Sequence, residues 1–75
     1  MKEYNDIVLN ELINAGKEAT RKLSFKKFKS QSKEIKELLI FRRSRLNLIR
    51  KRAIELNLTE TDLENIHTYI QDKND

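Results

Sequence analysis

Seven positions, Ile35, Leu39, Arg42, Leu46, Ile49, Ala53 and Leu56, follow one another at steps of four, three, four, three, four and three. That spacing holds all seven on one face of an α-helix, in the heptad pattern of a packing seam with one polar break at Arg42. It predicts a single helix over about 33–57, roughly 37 Å long at 1.5 Å per residue. Leu38, Phe41 and Leu48 make a second apolar stripe beside the seam, and Ile40 and Ile54 flank its other side. A helix apolar over more than half its circumference cannot stand alone in water. It needs at least two neighbours.

The rest of the chain supplies candidates for those neighbours. Proline is absent and Gly16 is the single glycine, so little interrupts helical runs. Tyr4, Val8, Leu12, Ala15, Ala19 and Leu23 keep helical spacing over about 4–23, widened by Ile7, Leu9 and Ile13. Asn5 or Asp6 can cap its start, because a short side-chain oxygen accepts an orphan backbone N–H there. Gly16 lies inside the pattern and is expected to bend, fray or end the helix. Residues 24–32 lose the periodicity and read as a connection, in which Phe25 and Phe28 point inward together and Ser30 or Ser32 caps the next helix. A third helix is expected over about 60–71, with Leu63, Ile66 and Ile70 as its apolar stripe. Thr59 with Asp62, or Thr61 with Glu64, has capping-box spacing, and Leu58 with Leu63 has the spacing of a hydrophobic staple. The staple favours Thr59 as the cap and a tight corner at 57–58. The tail from Asp72 is expected to fray.

The reading is therefore an all-α, three-helix arrangement with a long central helix, in one small domain spanning 1–75. Hydrophobic and charged residues each make up 37% of the chain, so one copy has a thin core. A thin core around a helix that needs covering on two sides points to a dimeric helical bundle, with the 35–56 seams or the first helices packed across a two-fold. Arg42 would either fix register there or carry its head to water. Its partner could be Glu11 or Glu18, or an acidic residue of the third helix of a second subunit.

Charge is the feature that suggests a ligand. The formal net charge is only +4. Residues 1–16 nonetheless carry a balance of −2, and residues 53–75 one of −5. Residues 17–52 set fourteen Lys and Arg against Glu18, Glu34 and Glu37, a balance of +11. Lys36, Arg43 and Arg50 stand seven apart on one helix face, with Arg45, Lys51 and Arg52 close by in sequence, and Lys22, Lys26, Lys27 and Lys29 precede them. Cations so arranged neutralise phosphates and release counterions, and Arg adds bidentate contacts. The expected function is a small non-enzymatic regulator that binds nucleic acid through these ten residues. The alternative is an adaptor or inhibitor that docks the same basic helix on an acidic partner protein. Attachment of the Lys/Phe stretch 22–29 to an anionic membrane surface is a weaker third reading.

Other chemistries find little support. There is no cysteine, which removes disulfides and thiolate metal sites and suits a reducing, cytoplasmic setting. His67 is the lone histidine and lacks the spaced partners a metal requires. The serines have no adjacent base motif, and no cofactor-binding motif is present. The longest apolar run, Leu38-Leu39-Ile40-Phe41, is too short to span a membrane. The helix after the 57–58 corner is acidic and would be repelled as a DNA-recognition helix.

Overall fold

A computed structural model describes residues 4–26 and 32–72, apart from the side chains of residues 25, 26 and 32. Three helices follow in order: α1 (Ile7–Lys26), α2 (Ser32–Glu55) and α3 (Glu60–Gln71). The chain is all-α, with helical-bundle packing. α1 and α2 form a long hairpin, and α3 folds back against it, lying far more on α1 than on α2. The calls for Phe28 and Ser30, and for the tail beyond Asp72, fall outside the described residues.

α1 begins and ends about three residues later than its periodicity suggests. Asp6 takes the cap: its carboxylate accepts the Leu9 N–H at 2.8 Å. Just before it, the Asn10 side-chain amide clamps the backbone of Tyr4, donating to its carbonyl at 2.6 Å and accepting its N–H at 3.2 Å. At the other end Ser24–Lys26 are helical and not part of a connection. Small polar residues only weaken a helix, and hairpin packing overrides that preference.

Gly16 does not break α1. The helix runs unbroken through it, and the missing side chain makes room for α3. A Cβ at position 16 would lie 3.1 Å and 3.2 Å from the Cγ2 and Cδ1 atoms of Ile70. The helix therefore accepts glycine's cost of about 1 kcal/mol in exchange for close approach of α3. Gly16→Leu is expected to cost about 1–3 kcal/mol by overpacking, read as a lower urea midpoint at unchanged slope.

The core is where the three helices meet. Leu9 and Ile13 of α1, Ile49 of α2, and Ile66 and Ile70 of α3 are buried together. Tyr4, Leu12, Leu46, Leu56, Leu58, Leu63 and Tyr69 pack around them. The α2 seam thus splits in two. Ile49 and Ala53 are buried, Leu46 and Leu56 lie at the core's edge, and Leu39 toward the start of the helix is exposed. The reason is length: α3, at about 18 Å, is half as long as α2 and reaches only the later half of its face. Arg42 stands at the boundary. Its Nη1 donates to Thr20 Oγ1 on α1 at 3.1 Å, so its partner is a buried hydroxyl and not Glu11 or Glu18.

The corner between α2 and α3 follows local rules. Leu58 N–H donates to the Ala53 carbonyl and Asn57 N–H to the Ile54 carbonyl, the paired bonds of a Schellman ending. Asn57 takes the left-handed conformation this ending needs, with φ 61°. Thr59 then caps α3, accepting the Asp62 N–H at 3.1 Å while Asp62 accepts the Thr59 N–H at 3.3 Å. α3 ends against α1: the Lys17 ammonium donates to the carbonyls of Tyr69, at 3.0 Å, and Asp72, and lies 4.8 Å from the centroid of the Tyr69 ring. A lysine only 5% exposed is tolerable there because the dipole at a helix C-terminus favours a cation.

Candidate nucleic-acid or acidic-partner interface

α2 carries a second heptad series on its outer side. Lys33, Lys36, Ile40, Arg43, Asn47, Arg50 and Ile54 succeed one another at steps of three and four, and all are exposed. No carboxylate lies in the series. Lys51, also exposed, adjoins it. Among the described residues none of the cations Lys33, Lys36, Arg43, Arg50 and Lys51 is held in an ion pair. Lys36, Arg43 and Arg50 stand about 10.5 Å apart along the axis. Each interval equals about three nucleotide steps at 3.4 Å per step.

The ten cations expected from sequence do not form one surface. Lys36, Arg43, Arg50 and Lys51 belong to the outward stripe. Lys22 is exposed on α1, facing α2 across a groove. Arg45 lies about 200° around α2 from Arg43, and its guanidinium stacks 4.2 Å from the Phe41 ring centroid. The Lys26 side chain is not described, and Lys27 and Lys29 lie outside the described residues. Lys33 was missed as a member of the stripe, although its spacing three before Lys36 was there to be read.

Arg52 has a structural task. Its Nε and Nη2 donate to the two carboxylate oxygens of Asp6 at 3.0 and 2.7 Å, and its Nη1 donates to Glu55 at 3.1 Å. This fork ties the end of α2 to the cap of α1 and takes up every guanidinium nitrogen. The Arg52 hydrogen bonds, and then the Leu9 N–H, hold the Asp6 carboxyl down from its ordinary 3.8 to about 2. A carboxyl whose folded value is depressed stabilises the fold above its unfolded value, and that contribution is lost as pH falls toward 2. The melting temperature should therefore drop between about pH 5 and 2, and by less in Asp6→Asn, which should already melt lower at pH 7. Equal pH dependence in the two proteins would contradict this role.

His67 is half-buried, and its covered Nε2 has no hydrogen-bond partner among the described residues. No cluster of three or more His, Asp or Glu that could hold a metal occurs among them either. No described helix is long and apolar enough to cross a membrane. No known protein family matches this chain, and neither does any curated protein or solved structure.

Proposed function

We propose that this chain is a small, non-enzymatic regulatory protein that binds nucleic acid through the outward face of α2. The observation that carries the reading is the stripe of Lys33, Lys36, Arg43, Arg50 and Lys51, exposed, without a carboxylate among them and about 27 Å long. A rigid line of cations follows a phosphate backbone without loss of loop entropy. Arg43 and Arg50 add forked donors that a phosphate oxygen pair matches. Most of the stripe suits phosphate contacts, so binding is expected to depend weakly on sequence, with Arg43, Asn47 and Arg50 the members able to reach base edges. A cytoplasmic setting suits a chain without cysteine. The acting unit is taken as a homodimer, supported by the large apolar side chains that one copy leaves exposed on both helices of the hairpin.

The test is a low-salt gel shift with random duplex and single-stranded DNA. The expected complex loses affinity linearly in log salt, with a slope of about −3 to −5 for three to five phosphates. No shift at micromolar protein in 50 mM salt would end the reading.

A second reading has its own support. Ile40 and Ile54, within the stripe, are 66% and 67% exposed, and Leu39 beside it is exposed as well. Apolar anchors among cations suit an acidic amphipathic helix of a partner protein. Ile40→Ser with Ile54→Ser separates the two: phosphate binding should persist in the double variant, whereas docking of an acidic helix should be lost.

A further inference from the structure

Where α3 stops, the boundary between the α2 seam and the cation stripe opens into a hollow of about 390 Å³. That volume lies within the roughly 300–1,000 Å³ of ordinary ligand sites. Leu39 and Leu46 line it from the seam and Ile40 from the stripe. Lys36, Arg42 and Arg43 supply its charge, and Gln71, the last residue of α3, closes one side. No carboxylate lines it among the described residues. Glu37, next to Lys36 in sequence, lines a separate hollow with Ala15 and Ala19. Among the described residues none of Lys36, Arg42 and Arg43 is held in an ion pair. The Nη1 bond to Thr20 steadies Arg42 and leaves the rest of its guanidinium to a ligand. The carbonyls that end α3 would repel an anion, but Lys17 bonds those of Tyr69 and Asp72 and offsets them.

We infer that this hollow takes one unstacked base of a single-stranded nucleic acid, with the phosphates on either side of that base held by Lys36 and Arg43. The inference rests on the nucleic-acid reading above and names the form of the strand. Lys36 and Arg43 stand about 10.5 Å apart along the axis, and the apolar residues of the hollow fall between them. Cation, apolar surface and cation thus succeed one another as phosphate, base and phosphate do where a base has turned out of line. Aliphatic side chains accept the face of a base, and a guanidinium plane stacks on it. The Gln71 side-chain amide offers the base edge both a donor and an acceptor. A duplex keeps its bases paired and stacked, so its phosphates alone would meet the stripe, and filling the hollow would cost unstacking. A free nucleotide would leave Arg50 and Lys51 without a phosphate, so a strand fits the surface better.

The experiment is fluorescence anisotropy of the full chain in about 50 mM salt. Its labelled probes, of equal length, are single-stranded oligothymidylate, a random DNA duplex and an abasic single strand that keeps the phosphates. Oligothymidylate should bind about tenfold tighter than either of the others. Leu39→Ser and Gln71→Ala change exposed positions, with circular dichroism as the check on folding. Each should weaken oligothymidylate binding by about threefold or more at unchanged salt slope, and leave the duplex and the abasic strand where they were. An abasic strand or a duplex bound as tightly as oligothymidylate would overturn the base site and leave the phosphate reading standing. Variants that bind oligothymidylate as the wild type does would overturn the hollow as its place. No binding of any probe at micromolar protein would end the nucleic-acid reading and this inference together, in favour of the acidic partner helix.

Discussion

Ile49→Ala is expected to cost the fold about 2–5 kcal/mol, a large share of its total stability. Ile49 is fully buried and belongs to the cluster of Leu9, Ile13, Ile66 and Ile70 that joins all three helices. Truncating such a side chain removes transfer energy and leaves a cavity, at a cost of about 2–5 kcal/mol. A 75-residue fold has only roughly 4–11 kcal/mol in total at about 0.05–0.15 kcal/mol per residue. Little slack exists, because the cluster is small and a chain without cysteine has no disulfide to supplement it. The control is the same substitution five residues on. Ile54→Ala removes an exposed side chain and should change stability by no more than about 0.5 kcal/mol. Urea titrations of the two variants followed by circular dichroism make the comparison. Equal midpoints would show that the core is not where it is placed here.

Reversing Lys36, Arg43 and Arg50 together to Glu is expected to abolish nucleic-acid binding with helicity intact. Each residue is exposed and outside the core, so the fold should barely register the change. Binding should register it twice, through three lost phosphate contacts and three added like charges. The salt slope should fall by about 3, and affinity at 50 mM salt by at least about a hundredfold. A variant that still shifts DNA at the wild-type concentration would move the phosphate contacts elsewhere, for instance to Lys22 and the residues that follow it.

The parts of this fold that were legible in the sequence are those set by local chemistry. The Thr59–Asp62 box, the corner at 57–58 and the extent of α3 need only a few neighbouring residues to specify them. The apolar seam of α2 correctly marks Ile49 and Ala53, because periodicity reports which face is apolar. It could not report that Leu39 stays exposed, which depends on where a separate helix stops. The contacts that lock the fold were invisible for the same reason. Arg52 meets Asp6 46 positions away, and Lys17 meets the end of α3 more than 50 positions away. The sequence puts Arg52 among the ten binding cations, and Lys17 only in the charge balance of residues 17–52. Only their placement in space shows that Arg52 and Lys17 hold helices together, while Lys36, Arg43 and Arg50 do not. Gly16 misled in the opposite sense: a helix-weakening residue proved to be the contact point for Ile70.

The half-length third helix also divides α2 dynamically. Around Ile49 and Ala53 the backbone is sealed by α1 on one side and α3 on the other, so its amide protons should exchange with solvent only when the whole molecule opens. Around Leu39 and Ile40 α1 stands guard with only the last residue of α3, Gln71, nearby, so partial opening of the hairpin should suffice. The boundary falls near Arg42, which donates to Thr20 on α1. Lys36 thus sits on the half of the helix expected to open first, and Arg50 on the half expected to open last.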